Sequence, residues 1–437
     1  VVLEQRKYDI EFDKHIDINR FKIDCKNRRT SGNPGSTLNF TQWGLYRHTS
    51  TTNNFGTSTT IDADSQYSLT GKNVDVVIMD TGVRWDHPEF WKPGVTSFTD
   101  KNDTRVRDIL IHGAEEYSIN WASEGLVAPG SGILAQYSAN TALLMQEGTP
   151  IADFTPGWHG SHVAGTAAGN QFGAAFEANI WTIACVDRPD LGWPEPADGF
   201  DYIKVWHKNK PINPETGLRN PTVVNDADCQ NVVLVCSAGN SNGKQEIKNS
   251  TDYNNQFTSG TFYYSSGYDA YYNRSGTPAI TREVEDDAVI KVASIDSSRQ
   301  SGSQERTSSF SDRGPTIDIW AGGSTILSPY SSGYDDPRNT SLHNQYLSGT
   351  SMASPNVTGV IALHLESAPT STRKSVRKWL LSTASVELSS SDYYDPYTSN
   401  SATDTNYWGN SYSLKSSPRR ILYNPYANNT VSSFSVS

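Results

Sequence analysis

The stretch VVIMDTG, residues 76–82, is a run of apolar side chains that ends in an aspartate. An uninterrupted apolar run predicts a strand that is buried on both faces, as in a parallel sheet covered by helices. At the carboxyl end of such a strand, side chains enter the crevice in which open α/β sheets bind their ligands. Asp80 is therefore placed for chemistry, although turn capping is the more common reason for a strand-terminal aspartate.

Apolar runs of the same kind recur along the chain, separated by stretches with helical spacing. Further strands are predicted over 180–186, 232–236, 289–293 and 317–320. Helices are predicted around 160–169, 197–208, 351–366 and 370–385. This interleaving predicts an α/β fold in which a mostly parallel central sheet is flanked by helices.

Two stretches, near 100–155 and 242–281, are interpreted as insertions that form self-packed surface loops. The second insertion is rich in tyrosine, which supplies contact area at low entropy cost. A partner or glycan contact is therefore the alternative interpretation of that loop.

The N-terminal segment, residues 1–36, differs from the rest of the chain. Its apolar residues alternate between Tyr8 and Cys25 and change parity after Ile18, which predicts an extra N-terminal strand segment with a break in register. The run 31–36 is rich in Ser, Gly, Asn and Pro and is typical of a linker. We therefore predict a boundary near residue 36, and this segment could add a strand to the sheet of a protein partner.

Composition excludes several classes of protein. The 437 residues suffice for a sizeable core, and a net charge of -11 repels nucleic acid and anionic lipid. The mean hydropathy is -0.56, and no apolar run approaches the roughly 18 residues that cross a bilayer, so membrane insertion is not expected. The four cysteines lack the spacing of a zinc site. Buried thiols are favoured for Cys185 and Cys236, while Cys25 and Cys229 stay undecided.

Two histidines stand three residues apart in the segment GWHGSHVAGTAAG, residues 157–169. Its small residues would let a helix approach another backbone closely. A zinc site is the competing interpretation, but His159 is not followed by the glutamate that HExxH chemistry requires. We assign His159 the role of a base and His162 a packing or hydrogen-bonding role.

A serine begins a predicted helix in LSGTSMASPNVTGVI, residues 347–361. Pro355 fits a first helical turn, and apolar residues recur at helical spacing beyond it, so Ser351 is predicted at the N-terminus of a buried helix. Such a helix end directs unpaired N–H groups and partial positive charge at an oxyanion. An N-cap serine is the structural alternative.

A further candidate polar group, Asn240, follows the apolar run 232–236 in a Gly-Asn turn. Asn240 could cap this turn, or it could present its amide to a developing oxyanion.

Together these four fragments resemble the subtilase (subtilisin-like serine protease) family, whose chain order is Asp, His, oxyanion Asn and Ser. The match covers the aspartate, histidine, oxyanion and serine motifs, at 80–82, 159–166, 238–240 and 349–355. The proteinase K branch looks nearest, because 43–47 and 86–90 resemble its opening segment and the stretch after its aspartate. The resemblance runs patchily from about 41 to 385 and implies a subtilisin-like catalytic domain over 37–437. Residues 1–36 would then be a propeptide remnant or plain extra strands.

The resemblance implies a serine endopeptidase that works through an acyl-enzyme. Ser351 would attack the peptide carbonyl, His159 would accept its proton, and Asp80 would orient the imidazolium. Asn240 and the Ser351 N–H would hold the oxyanion. The implied substrate-binding residues are Gly192, Ser237, Ala238 and Gly239.

The resemblance also carries expectations about cofactors, substrate and location. The chemistry needs no cofactor, whereas calcium often stabilises the family, with Glu89 as a candidate ligand. The substrate would be a polypeptide, and the location extracellular or part of an extracellular assembly. Two alternatives stay open. One is a peptide ligase or macrocyclase, and the other is a structural or attachment component of a larger assembly.

The chain departs from the family pattern after Val223-Val224-Asn225. In the family, this strand continues into a Ser-x-Gly segment that forms one wall of the specificity pocket, and then into a further helix. Here Asp226 and the oxyanion strand follow at once. Either the protein lacks that wall, or residues are missing from the sequence between Asn225 and Asp226. We favour missing residues, because deleting a buried sheet edge would leave apolar surface and backbone groups unsatisfied.

Overall fold

The structure is a computed structural model, and each strand and helix predicted beyond residue 36 has a counterpart in it. The described residues are 23–24, 43–52, 62–99, 102–128, 158–184, 196–223, 232–240, 245, 289–296, 307–385, 388, 414 and 417–431. The helices in these ranges are α1 Trp43–Arg47, α2 Ile109–Tyr117, α3 His159–Ala168, α4 Pro196–Asn209, α5 Thr350–Ser367 and α6 Arg373–Thr383. The strands are β1 Ile23–Asp24, β2 Asp62–Tyr67, β3 Asp75–Asp80, β4 Val106–Asp108, β5 Asn179–Ala184, β6 Thr222–Val223, β7 Val232–Val233, β8 Val235–Ser237, β9 Ile290–Ile295, β10 Ile319–Gly322, β11 Ile326–Tyr330, β12 Tyr334–Asp336, β13 Asn339–Leu347 and β14 Ala427–Val431.

The central sheet has five strands in the order β4-β5-β3-β6-β7, and every neighbouring pair is parallel. A second parallel sheet has the order β10-β9-β8. The predicted strand over 232–236 links the two sheets, because Leu234 separates β7 from β8 and its carbonyl accepts a hydrogen bond from Ile290. The α/β class and the parallel central sheet are therefore confirmed.

Helices cover the central sheet on both faces, and β3 shows why. Its side chains alternate between two apolar clusters, with Val76 and Ile78 in the first and Val77 in the second. Residues of α3 and α5 fill the first cluster, whereas residues of α2 and α4 fill the second. Because successive strand residues point to opposite faces, an uninterrupted apolar run is what two covered faces require.

The interpretation of the stretch near 100–155 as a surface loop is wrong for its described part. Strand β4 is an edge of the central sheet, paired with β5. Helix α2 begins after Asp108, whose carboxylate accepts a hydrogen bond from the N–H of Ile111 at 3.0 Å. Ile109 and Trp121 are almost fully buried in the second cluster. The pattern missed this unit because a strand of three residues carries too little periodicity.

A small antiparallel sheet joins segments that are far apart in the sequence, in the order β1-β2-β14. Ile23 lies opposite Ala63, and β14 pairs with the other edge of β2. The described part of the N-terminal segment thus pairs with its own chain. Most of the predicted strand segment and the boundary near residue 36 lie outside the described residues and stay predictions.

Strands β6 and β7 lie side by side and parallel, with Thr222 opposite Val232. Only residues 224–231 connect them, and these lie outside the described residues. Adjacent parallel strands need a crossover of about a dozen residues or more. This pairing fits the expectation of residues missing between Asn225 and Asp226, which stays a prediction.

Two sequence predictions, on the second insertion and on the cysteines, fall partly outside the described ranges. The insertion at 242–281 is described at Gln245 alone, and Cys25, Cys185 and Cys229 are not described. Cys236 is half-buried beside the second apolar cluster. Among the helices that the structure describes, none combines the length and the apolar character needed to cross a bilayer.

Candidate active site

Asp80 and His159 meet at the carboxyl edge of the central sheet. Asp80 is the last residue of β3, and His159 is the first residue of α3. The His159 Nδ1 atom lies 2.9 Å from each oxygen of the Asp80 carboxylate. An ionised carboxylate only accepts hydrogen bonds, so Nδ1 carries the proton and Nε2 is the nitrogen that can act as a base. The His159 side chain is 38% exposed, which leaves the imidazole open to a substrate.

Short contacts fix the loop after Asp80 to the start of α3. The Thr81 N–H donates to Asp80 Oδ1 at 2.7 Å, and the Gly160 N–H donates to Thr81 Oγ1 at 3.0 Å. A Cβ atom on Gly160 would lie 2.2 Å from the carbonyl oxygen of Gly82. Only glycine allows this approach, so the residue after His159 is fixed by packing.

The remaining small residues of α3 confirm the predicted close approach to other backbones. A Cβ atom on Gly165 would lie 2.4 Å from Pro329 Cδ, in strand β11. A Cβ atom on Gly359, in helix α5, would lie 2.6 Å from the carbonyl oxygen of Ala167. The helix that carries His159 is therefore in backbone contact with the helix that carries Ser351.

His162 has the hydrogen-bonding role that the sequence predicts. Its ring is fully buried, and Nε2 lies 3.0 Å from the Ile326 carbonyl oxygen and 3.1 Å from that of Gln345. Carbonyl oxygens only accept, so Nε2 carries a proton and donates to β11 and β13. Burial lowers the pKa of His162 to about 3, which keeps the ring neutral.

Ser351 lies in the first turn of α5, as predicted. The helix begins at Thr350 with Gly349 as its N-cap residue, so the N-cap interpretation of Ser351 is wrong. Its backbone N–H is one of the first four of the helix, which have no acceptor within the helix. Pro355 is the sixth helical residue rather than part of the first turn, and it lacks the N–H that would bond to the Ser351 carbonyl.

Asn240 lies beside this helix end. Its Oδ1 accepts hydrogen bonds from the backbone N–H of Thr350 at 2.8 Å and from its hydroxyl at 3.0 Å. These two bonds orient the amide, and its Nδ2 group is the donor that an oxyanion would use. A Cβ atom placed on Gly349 would lie 3.5 Å from Asn240 Nδ2 and 3.7 Å from the backbone nitrogen of Ser351. Both predicted oxyanion donors thus border the same small space.

The candidate substrate-binding residues 237–239 form the chain that leads to Asn240. Ser237 ends β8, and the N–H of Ala238 donates to the Val292 carbonyl at 2.9 Å. Gly239 has a φ of 113°, a left-handed value that favours glycine. Substrate binding by these residues stays a prediction, and Gly192 lies outside the described residues.

Thr350 and Thr81 are site residues that the sequence reading missed. Besides its bonds to Asn240, Thr350 accepts a hydrogen bond from the Gly239 N–H at 3.0 Å through its hydroxyl. Each threonine adjoins a catalytic candidate in sequence, and each bonds to a different segment of the site. Their position inside the short motifs was the available indication, but the partner of each hydroxyl depends on tertiary contacts.

Glu89 does not fit the role of a calcium ligand. Its fully buried carboxylate accepts hydrogen bonds from the N–H groups of Gln171 at 2.8 Å and Phe172 at 3.0 Å, and it pairs with Arg338 at 2.5 Å. In the part of the chain that the structure describes, no three His, Cys, Asp or Glu side chains form a metal-binding group. Structural calcium held by other groups stays a prediction.

The structure shows a histidine oriented by an aspartate, and a serine at a helix N-terminus with an amide donor beside it. These are the groups that a serine hydrolase uses. Residues 71–410 match the sequence model of the Subtilase family. The chain belongs to the subtilase family, and its domain is a subtilisin-like serine protease domain. The more specific resemblance to the proteinase K branch stays a prediction.

Named relatives agree with this assignment. Fervidolysin from Fervidobacterium pennivorans is 31% identical over 52% of this chain and 31% of its own length. Subtilisin DY from Bacillus licheniformis is 29% identical over 54% of this chain and 73% of its own length. An extracellular protease from Xanthomonas campestris pv. campestris is 30% identical over 54% of this chain and 36% of its own length. The matched region thus spans only about a third of two of these relatives.

Proposed function

We propose that this protein is a serine endopeptidase that hydrolyses peptide bonds through an acyl-enzyme. The observation that carries the proposal is the Asp80–His159 pair, in which Nδ1 lies 2.9 Å from both carboxylate oxygens. This pairing leaves Nε2 as the basic nitrogen. Helix α3, which carries this base, is in backbone contact with α5, which carries Ser351.

In the proposed reaction, Ser351 Oγ forms a bond to the peptide carbonyl carbon while its proton moves to His159 Nε2. Asp80 stabilises the imidazolium that results. The tetrahedral intermediate then expels the amine, which takes the proton from His159 and leaves an ester on Ser351. A water molecule, deprotonated by the same imidazole, hydrolyses this ester and restores the enzyme.

The oxyanion of each tetrahedral intermediate would be bound by Asn240 Nδ2 and the Ser351 N–H. Two features support this part of the proposal. The bonds of Thr350 to Asn240 Oδ1 fix the orientation of the amide, and the helix N-terminus adds a partial positive charge. Donors that are oriented in advance need no reorganisation when the charge develops.

The proposed substrate is a polypeptide, and no cofactor takes part in the chemistry because the protein side chains supply every group. We also propose an extracellular location, since a relative from Xanthomonas campestris is named an extracellular protease. Recovery of the protein from the culture medium of producing cells would support this location.

The experiment is the intact mass of the purified protein before and after reaction with a fluorophosphonate. We expect one adduct, mapped to Ser351 by peptide analysis, and no adduct in Ser351→Ala. Ser367→Ala, an exposed serine at the other end of α5, is the matched control and should label like the wild type. A folded wild-type protein without any adduct would overturn the proposal.

Product masses then separate hydrolysis from ligation. A hydrolysed peptide gains the mass of one water, whereas a ligated or cyclised product does not. Products without added water would favour the peptide ligase alternative. The starting mass also tests the junction at Asn225 and Asp226, because missing residues predict a mass above 48.1 kDa.

A further inference from the structure

Trp158, directly before His159, has a backbone conformation that is unusual for a bulky residue. Its φ is 43° and its ψ is 14°, in the left-handed region. It occupies the N-cap position of α3, where its side chain makes no capping hydrogen bond. A residue of this shape stays in the left-handed region only where its surroundings hold it there. The contacts that hold Trp158 in this conformation therefore also set the direction in which the His159 side chain points.

Arg84 is the neighbour that holds the Trp158 ring. Its guanidinium carbon lies 4.8 Å from the ring centroid, within the range of a cation–π interaction. Asp86 fixes the guanidinium through two hydrogen bonds, from Nε to Oδ1 at 2.6 Å and from Nη2 to Oδ2 at 3.0 Å. The ring is only 5% exposed. The cation thus has one orientation, with the ring enclosed beside it.

The backbone of Arg84 is attached to the same helix. Its N–H donates to Ser161 Oγ at 2.8 Å, and the Trp158 carbonyl accepts a hydrogen bond from the His162 N–H at 3.1 Å. Arg84 therefore contacts α3 on both sides of His159, at Trp158 and at Ser161. Arg84 also lies on the loop that follows Asp80. Its contacts with α3 therefore connect the segment that carries Asp80 to the helix that carries His159.

We infer that Arg84 and Trp158 form a clamp that positions the His159 imidazole against Asp80 and Ser351. The inference rests on the proposed function. Both are positioning residues, because they act through the backbone on either side of the base. Asp86 neutralises the Arg84 charge locally, so orientation rather than charge is the assigned effect. Small displacements of a catalytic group are costly, since about 1 Å can lower turnover by roughly a hundredfold.

The test is a double-mutant cycle on kcat and KM for a peptide substrate. Arg84→Ala removes the cation, and Trp158→Gly removes the ring while glycine accepts the left-handed backbone. We expect each single variant to lower kcat about tenfold with KM unchanged, and the double variant to be no worse than either single one, because a clamp fails as a unit. Arg84→Lys retains a cation over the ring and should recover part of the loss.

The control variant is Arg107→Ala, which removes a surface ion pair with Glu116 at 3.1 Å and should leave kcat unchanged. Losses that multiply to about a hundredfold in the double variant would overturn the clamp, because independent effects multiply. An unchanged kcat in both single variants, or a change in KM alone, would overturn it too. In these outcomes the wild type still hydrolyses peptide, so the proposed function stands. An inactive wild type would instead remove the proposed function and the inference together.

Discussion

Strand β3 has an aspartate at each end, and the two residues serve opposite purposes. Asp75 begins the strand with its side chain 2% exposed and pairs with Lys210, whose side chain is equally buried, at 2.7 Å. Asp80 ends the strand with its side chain 18% exposed and pairs with His159. One strand therefore carries a buried structural ion pair at one edge of the sheet and the candidate catalytic pair at the other.

The difference lies in the partners. Lys210 Nζ also donates to the Asn220 carbonyl at 2.6 Å and the Thr222 hydroxyl at 2.5 Å, and the Trp206 ring lies 4.6 Å away. These contacts use every proton of the ammonium, so this buried pair is not available for catalysis. His159 presents Nδ1 to Asp80, and Nε2 is the nitrogen that can accept a proton. An aspartate can therefore serve in catalysis when its partner is exposed to solvent and can itself gain or lose a proton.

The largest expected effect is that of Asp80→Asn. The amide keeps the volume of the carboxylate but cannot orient and stabilise the imidazolium, so we expect kcat to fall by about 10⁴-fold. The melting temperature should change little, because Asp80 is half-buried and its amide still accepts a hydrogen bond. Steady-state kinetics and thermal unfolding check both statements. A loss below tenfold would contradict the role of Asp80.

Asp75→Asn should have the reverse profile. Removing one partner of a buried ion pair leaves Lys210 uncompensated, so we expect the free energy of unfolding to fall by about 3–5 kcal/mol. Urea unfolding measures this, while kcat of the folded protein should stay within about twofold of the wild type. A stable variant with reduced turnover would show that the two ends of β3 are not independent.

Asn240→Ala is the next effect in size. Loss of one oxyanion donor lowers kcat by about 10²–10³-fold with little change in KM. Asn220→Ala is the matched control, since Asn220 Nδ2 donates to Asp75 Oδ1 at 3.3 Å at the opposite edge, and it should affect stability rather than kcat. A rise in KM alone for Asn240→Ala would mean that Asn240 only binds substrate.

The smallest expected effect is the contribution of His162 to the pH dependence of stability. The unfolded pKa of His162 is about 6.5, whereas burial lowers the folded pKa to about 3. Between these values the unfolded chain binds more protons, so stability falls as the pH falls from 6.5 towards 3. The His162→Asn variant cannot bind this proton when it unfolds. Its free energy of unfolding should therefore depend on pH less steeply than that of the wild type, with a slope smaller by up to about 1.4 kcal/mol per pH unit.

Urea unfolding at several pH values between 5 and 7 provides this measurement. Other groups contribute equally to both proteins and cancel in the difference. His87 has a pKa lowered to about 3 by burial, and Asp108 has a pKa raised to about 6 by burial, which acts in the opposite direction. Equal slopes for the wild type and the variant would show that His162 does not titrate on unfolding.

The sequence predicted the long helices and the buried parallel strands closely, but it missed other strands, including the nine-residue β13. Helix α5 was predicted over 351–366 and spans Thr350–Ser367, because its apolar residues recur over several turns. Helix α6 begins at Arg373, because Thr372 caps it by accepting a hydrogen bond from the Ser375 N–H at 3.2 Å. Strand β4 has three residues and was missed because its burial depends on pairing with β5.

The candidate site was predicted as residues but not as contacts. Asp80, His159, Asn240 and Ser351 stand in short motifs whose order indicated the chemistry. The contacts of Arg84 with Trp158 and of Thr350 with Asn240 join segments that are far apart along the chain. The residue pattern within one segment cannot predict such contacts, because they depend on how loops from different segments come together at the carboxyl ends of the strands.

The sequence by itself determined the α/β class, the long helices and buried parallel strands, and the four candidate catalytic groups, because apolar spacing and short motifs are local properties of the chain. Only the tertiary structure showed that Asp75, at the other end of β3, pairs with a buried lysine. The same holds for which nitrogen of His159 is the base and for the orientation of the Asn240 amide, whose oxygen accepts from Thr350. These choices depend on hydrogen-bond partners brought together across the sheet, and a side chain's role is set by the partners that remain after folding.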